Sequence, residues 1–151
     1  MDENIREKIR AVIREQSTCV LATASENRPH CSLMAYATNA SCDQIYLMTL
    51  KNSRKYQNMR ENHSVSLLID TRQETNKSGH TETIALTVSG RFDTITKDAE
   101  RNQIRKELSR KHPALKDFLE NPEGEPIKII IETCLLLEGP SKAHYGAISE
   151  M

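Results

Sequence analysis

Residues 45–56 read IYLMTLKNSRKY, an apolar run that passes directly into a polar, cationic segment. The β-prone first half predicts a strand over 44–50, and Ser53 is a typical N-cap for a helix over 53–62. The free N–H groups at the start of a helix attract anions. Thr49 adds a hydroxyl beside them, and Arg54 and Lys55 add two cations. The segment therefore predicts a phosphate site, although an ordinary capped and solvated helix start would use the same residue types.

The rest of the chain predicts a mainly β protein with flanking helices. Apolar residues recur at helical spacing near the N-terminus, which predicts an amphipathic helix over 3–16. Alternating or β-rich runs predict six strands, over 18–24, 29–38, 44–50, 64–70, 83–94 and 127–137. A helical insertion is expected over 97–120, a polar loop over 71–82, and a tail from Gly139 onward. Within the fifth strand, Ser89-Gly90 predicts a bulge or a close backbone approach.

Six strands joined mostly by short connections favour an antiparallel β-barrel. Closure into a barrel removes the exposed edges that an open sheet would present. With 151 residues, the chain is expected to form one domain over 1–151.

The charge balance limits the classes of partner. The chain has 21 basic and 21 acidic residues, so no net field gathers nucleic acid or an anionic membrane. No apolar run is long enough to span a membrane, and the acidic and basic N-terminus does not resemble a signal peptide. The expected protein is soluble and cytoplasmic, binds neither nucleic acid nor membrane, and recognises any anion locally.

Neither the cysteines nor the histidines suggest a metal site. The cysteines are isolated, without a C-x-x-C pair, and are expected to be buried, reduced thiols: Cys19, Cys31, Cys42 and Cys134. The five histidines form no set with ligand spacing. No catalytic triad or carboxylate pair is recognisable, so catalytic residues remain unassigned. His30 and Tyr36 are the polar groups of interest near the candidate site.

The order of five segments resembles the pyridoxamine 5'-phosphate oxidase-like FMN-binding split-barrel family. The segments are PHCSLMAY at 29–36, IYLMT at 45–49, SRK at 53–55, VSLLI at 65–69 and LTVSG at 86–90. The strongest element is the Thr-x-x-x-Ser-Arg-Lys pattern that starts at Thr49. The resemblance implies a six-stranded antiparallel split β-barrel and a homodimer with two flavins at the subunit interface.

The resemblance also implies the flavin contacts, position by position. They are Ser32, Leu33, Met34, Ala35, Tyr36, Met48, Thr49, Ser53, Arg54 and Lys55. Arg54 and Lys55 correspond to the family's phosphate-binding pair. For Leu33, Met34 and Ala35, ordinary barrel core is an equally good interpretation, because alternate residues of a strand must face inward.

Departures from the family pattern argue against oxidation of pyridoxine phosphate. True pyridoxamine phosphate oxidases begin and end the flavin strand with an arginine and a lysine, where this chain has Ser32 and Ala37. The resemblance therefore suggests an FMN-dependent oxidoreductase of unassigned substrate, acting with a small-molecule electron donor or acceptor. The alternative is a non-catalytic binding module for haem or a deazaflavin in the same cleft, with His63 as a candidate haem ligand.

Overall fold

The computed structural model describes residues 1–72 and 83–148. The helices are α1 (Glu3–Glu15), α2 (Arg54–Glu61), α3 (Asp98–Lys111) and α4 (Lys116–Leu119), and a 3-10 turn (Pro113–Leu115) precedes α4. The strands are β1 (Thr18–Ser25), β2 (Arg28–Ala35), β3 (Ala37–Thr38), β4 (Gln44–Leu50), β5 (Ser64–Asp70), β6 (Ile84–Asp93), β7 (Gly124–Glu138) and β8 (Lys142–Ala147). Most of the polar loop predicted over 71–82 lies outside the described residues.

The strands form one antiparallel sheet in the order β2-β1-β5-β6-β7-β4-β3. The two strands at the ends of this order, β2 and β3, are separated in the chain by Tyr36 alone. One continuous segment thus supplies both ends of the sheet, which curls into a split barrel. The predicted mainly β fold with flanking helices is confirmed.

The strand count differs from the prediction of six in two places. The strand expected over 29–38 is divided at Tyr36, whose N–H donates to Ser17 O outside the ladder. The predicted tail instead contains β8, which pairs with the second half of β7. Strand β4 covers only the first half of β7, from Gly124 to Ile130, so the remaining edge is available to β8. Gly139, with φ of 65°, allows the chain to reverse between them.

The interior of the barrel is apolar and is covered at one side by α1. Its largest cluster includes Ile9 and Ile13 of α1 together with Leu21, Leu67 and Ile129 from the strands. A second cluster packs α3 and α4 against the outside of β3 and β4. Its members are Ala37, Tyr46, Met48, Ile95, Ile104, Leu108 and Leu119. This second cluster matters for the site, because it places the helical insertion beside the end of β4.

The bulge predicted at Ser89-Gly90 is confirmed. The pairing of β6 with β7 shifts register between these two residues. A Cβ at Gly90 would lie 2.3 Å from the backbone oxygen of Ile130, so the two chains approach too closely there for any side chain.

Burial of the cysteines was predicted correctly for three of the four. Cys19, Cys42 and Cys134 are buried free thiols, whereas Cys31 is exposed. The prediction for Cys31 was wrong because this residue occupies an outward position of β2, between the partly buried His30 and Ser32.

Candidate functional site

The end of β4 and the start of α2 are joined through two hydroxyl groups. Ser53 caps α2, and its Oγ accepts a hydrogen bond from the Tyr56 N–H at 3.3 Å. The Oγ1 of Thr49 lies 2.9 Å from the same Ser53 Oγ. Thr49 is buried, so the strand and the cap form one ordered unit at the helix start.

An open groove of about 450 Å³ runs from this helix start across the barrel wall. One wall comes from β2 and β4, and the other comes from the helical insertion. The lining residues are Leu33, Met34, Ala35, Met48, Thr49, Leu50, Ser53, Lys55, Leu108, Leu115, Phe118 and Leu119. The groove is thus apolar along most of its length and polar, with one cation, at the α2 end. Its volume falls in the range of small-molecule and cofactor sites.

Seven of the ten residues predicted to contact a cofactor line this groove. They are Leu33, Met34, Ala35, Met48, Thr49, Ser53 and Lys55. The fold therefore brings β2, the end of β4 and the start of α2 to one place. Ser32, Tyr36 and Arg54 are not among the lining residues.

Tyr36 lies in the core and its side chain faces away from the groove. Its ring is fully buried, and its hydroxyl donates to the backbone oxygen of Ile13 at 2.6 Å. The backbone oxygen of Tyr36 is 2.7 Å from His112 Nε2. Burial raises the pKa of the phenol well above its ordinary value, so the hydroxyl stays protonated. This environment suits a structural anchor and leaves no contact for the side chain with a bound molecule.

Arg54 borders a different space from its neighbour Lys55. It lines a small polar cavity of about 250 Å³, together with Arg28, His30, Asn58 and Glu61 among others. Successive helix residues are rotated by about 100°, so adjacent cations at a helix start face different surroundings. Of the predicted phosphate-binding pair, Lys55 alone lines the groove.

The sequence interpretation missed the second wall of the groove. Leu108, Leu115, Phe118 and Leu119 belong to the segment predicted as a helical insertion, to which no role in the site was assigned. One sequence signal was available. Leu115, Phe118 and Leu119 recur at helical spacing in the sequence and so predict an apolar helix face. In the structure the Phe118 side chain of this face is 39% exposed, as apolar residues that border a binding surface often are.

The outer surface of the sheet beside the groove carries no charge over two complete rows of paired residues. The first row, across six strands, is Leu33, Val20, Leu68, Thr87, Leu135 and Tyr145. The second is Cys31, Ala22, Ser66, Ser89, Thr133 and Ala147. We call these twelve residues the uncharged face. Leu33, which is 75% exposed, belongs both to this face and to the groove.

Comparison with known proteins identifies the family. Residues 5–132 match the family model of pyridoxamine 5'-phosphate oxidase. The chain belongs to the pyridoxamine 5'-phosphate oxidase-like split-barrel family. This family includes FMN-binding proteins and haem-binding proteins. No curated protein matches the chain.

Solved structures share the split-barrel fold at low identity. General stress protein 26 from Bacillus anthracis is 23% identical with a TM-score of 0.70, over 96% of this chain and 99% of that chain. A haem binding protein from Mycobacterium smegmatis is 14% identical with a TM-score of 0.83, over 97% of this chain and 59% of that one. The haem storage protein HutZ from Vibrio cholerae is 19% identical with a TM-score of 0.67, over 86% and 89% of the two chains.

The described part of this split barrel supports neither a metal site nor His63 as a haem ligand in the groove. Its histidines, cysteines and carboxylates form no group of three or more that could hold a metal ion. His63, the candidate haem ligand, is exposed, packs edge-on against Phe92 and does not line the groove. None of the described helices is both long and apolar enough to cross a membrane.

Proposed function

We propose that this split barrel binds FMN in the groove and acts as a flavin-dependent oxidoreductase. The observation that carries the proposal is that the apolar part of the groove leads directly to the capped, cationic start of α2. FMN has the same arrangement of an apolar and a polar end, with a flat ring system at one end and a phosphate at the other.

The α2 end of the groove fits the phosphate. In the part of the chain that the structure describes, the backbone N–H groups of Arg54 and Lys55 have no intramolecular acceptor. These groups and the helix dipole favour an anion. The Thr49 and Ser53 hydroxyls and the Lys55 ammonium lie at the same end of the groove. Hydroxyl, amide and ammonium donors together satisfy the several acceptor oxygens of a phosphate.

The remainder of the groove fits the ring system. Met34 and Met48 on one side, with Leu108 and Phe118 on the other, offer apolar surface for a planar group. The bound flavin would supply hydride and electron transfer, for which a protein contributes position and electrostatics. The groove lining, as far as it is described, contains no histidine or carboxylate, so we assign no catalytic acid or base.

We further propose that the protein is a homodimer and that the flavin lies at the subunit interface. In a chain with 28% charged residues, a twelve-residue surface without charge favours contact with another protein surface. Leu33 connects this uncharged face to the groove, so a partner seated on the face would also border the groove. A second copy of this chain is the occupant that the family resemblance supports.

Haem is the second candidate ligand, because two structurally similar proteins are a haem binding and a haem storage protein by name. The chemistry of the groove supports it less well. Its described lining offers the thioethers of Met34 and Met48 as possible axial ligands and no imidazole. A deazaflavin would use the same apolar surface as FMN.

An absorption spectrum of the protein purified without added cofactor distinguishes these ligands. We expect a flavin spectrum, with FMN identified after release and at one molecule per chain. A haem spectrum, or release of a deazaflavin, would favour the alternative. A colourless protein that does not bind added FMN would show that the proposal is wrong.

A titration of the apoprotein with FMN tests the position of the phosphate. One charge-assisted hydrogen bond contributes about 1.5–3 kcal/mol, so Lys55→Ala should weaken FMN binding about ten- to a hundredfold. Lys51→Ala is the matched control, since Lys51 is an exposed lysine close by that does not line the groove. If Arg54→Ala weakens binding and Lys55→Ala does not, the phosphate lies on the other side of the helix start.

A further inference from the structure

A second cavity, of about 600 Å³, is lined by other residues of α3 than the groove and shares no lining residue with it. It is bounded by the end of α1, the segment around β3, and the C-terminal half of α3. Its neutral lining residues are Ala37, Thr38, Asn39, Ala40, Tyr46 and Gln103. Its charged lining residues are Arg14, Glu107, Arg110 and Lys111. Three cations and one carboxylate thus surround a single cavity in a chain whose net charge is zero.

The single carboxylate of the lining neutralises one of these three cations. Glu107 forms its ion pair with Arg110. Within the described residues, Arg14 pairs with Glu7 of α1 at 3.8 Å, outside the cavity lining. Within the described part of the chain, the Lys111 ammonium has no hydrogen-bonded or ion-paired acceptor. The cavity therefore keeps an excess of positive charge that its own described lining does not balance.

Lys111 is held in an unusual environment for a lysine. Its Nζ is shielded from solvent and has no hydrogen-bond partner. It lies 4.2 Å from the centroid of the Tyr36 ring. Burial lowers the pKa of this amine below its ordinary value. An ammonium group without acceptors in such a position is costly, because folding has removed its water without replacing it.

Lys128, a buried lysine, provides a comparison in which the amine has acidic partners. Lys128 Nζ lies 3.0 Å from a Glu100 oxygen and 3.4 Å from an Asp93 oxygen. These carboxylates raise its pKa despite the opposing effect of burial. The comparison indicates that Lys111 lacks an acidic partner that its surroundings could accommodate.

We propose that the second cavity binds a small organic anion through a carboxylate or phosphate group, with Lys111, Arg14 and Arg110 as its cationic contacts. The lysine stem has four flexible bonds, so its amine can turn from the Tyr36 ring toward an anion in the cavity. Most neutral polar groups of the lining already have partners, for example Thr38 Oγ1 with Gln44 O and Gln103 Nε2 with Glu107. Among the described groups of the lining, the Lys111 ammonium is the cation without an acidic partner, and Arg14 and Arg110 add positive charge beside it. This site does not depend on the proposed flavin site.

Isothermal titration of the full-length protein with inorganic phosphate and with succinate tests the site and separates the two anion types. We expect saturable binding of at least one anion, weakened tenfold or more in Lys111→Met, which replaces the lysine stem up to Cε and removes the ammonium. Lys106→Met is the matched control, because Lys106 is exposed on the same helix and loses the same charge. Arg14→Gln, on a different helix, should also weaken binding.

Two results would overturn this proposal. One is the absence of binding of either anion at millimolar concentration, and the other is equal weakening in Lys111→Met and Lys106→Met. FMN affinity should be unchanged in Lys111→Met, because the two sites share no residue. Loss of anion binding with normal FMN binding would also show that the variant is folded. Failure of the flavin proposal would leave the anion titration unaffected.

Discussion

The hydroxyl oxygens of Thr49 and Ser53 lie 2.9 Å apart, which connects the last residues of β4 to the N-cap of α2. They are four positions apart in the chain, and the turn between them is closed by the Ser53 N–H, which donates to Leu50 O at 3.0 Å. The pair therefore serves two purposes. It stabilises the helix start, and it keeps two hydroxyl groups together at the polar end of the groove.

Removal of the cap should lower stability by a modest amount. Ser53→Ala leaves the Tyr56 N–H without its acceptor, and we expect a loss of about 1 kcal/mol in the free energy of unfolding. Urea denaturation measures this loss. Ser141→Ala, in an exposed turn, is the control and should change stability little. Equal stability of the two variants would contradict the capping role.

A charge on the uncharged face should dissociate the proposed dimer. Leu33→Arg places a cation on a surface where neighbouring strands present Val20 and Leu68. Association of two subunits would remove water from this guanidinium, which opposes dimer formation. We expect a monomer by light scattering, with weaker FMN binding. Asn102→Arg, on an exposed position of α3, is the control and should remain dimeric. A monomeric wild-type protein would show that the dimer proposal is wrong.

A methyl group at the bulge should strongly destabilise the barrel. In Gly90→Ala the new Cβ would lie 2.3 Å from Ile130 O, so β6 and β7 would have to separate. We expect a loss of about 3 kcal/mol or more, measured by chemical denaturation. The neighbouring Ser89 side chain points outward, so Ser89→Ala should lower the free energy of unfolding far less. Comparable losses in both variants would mean that the close approach does not constrain the strand.

Stability should fall at alkaline pH through the buried thiols. Burial raises the pKa of Cys134 from 9.0 to about 12. Because the folded-state pKa lies above the unfolded one, this contribution is complete below pH 9 and is lost as the pH rises toward 12. The free energy of unfolding should therefore fall between pH 7 and pH 10 in the wild type. In Cys134→Ala this fall should be about 1 kcal/mol smaller.

Cys31→Ala is the control for this pH dependence, because Cys31 is exposed. Its loss between the two pH values should equal that of the wild type. Urea denaturation at pH 7 and pH 10 provides the comparison. The same pH dependence in Cys134→Ala and the wild type would contradict the role assigned to burial.

The phenol of Tyr36 should contribute to stability through one buried hydrogen bond. Tyr36→Phe leaves the backbone oxygen of Ile13 without this donor, and we expect a loss of about 1–3 kcal/mol. Tyr145→Phe removes a phenol hydroxyl outside the barrel core and is the matched control, because that side chain is 68% exposed in the single subunit. Thermal denaturation of both variants measures the difference. An unchanged melting temperature in Tyr36→Phe would mean that the bond stabilises nothing.

The local features of this protein could be predicted from the sequence. The β-rich run of β1, the apolar centre of β5, the spacing of Ile5, Ile9 and Val12 in α1, and the Ser53 cap all depend on neighbours within a few residues. The bulge at Gly90 was also visible, since a glycine inside a strand signals close backbone approach. The family pattern correctly indicated the split barrel.

Features that depend on how distant elements pack could not be predicted in the same way. Lys55 rather than Arg54 lines the groove because of the rotation at which α2 sits against the barrel. Strand β8 forms because β4 leaves half of a long strand uncovered, and its own sequence is only weakly apolar.

The sequence by itself thus determined most of the elements, the barrel class and most of the groove's first wall, through short-range periodicity, capping and the family pattern. Tertiary structure alone decided the second wall from α3 and α4, the burial of Tyr36, and the placement of Lys111 over its ring. The physical reason is that these contacts join separate elements, from Tyr36 and Ile13, which are 23 positions apart, to Tyr36 and Lys111, which are 75 positions apart. Such contacts form because apolar surface is buried between whole elements. A local sequence pattern does not indicate which elements will pack together.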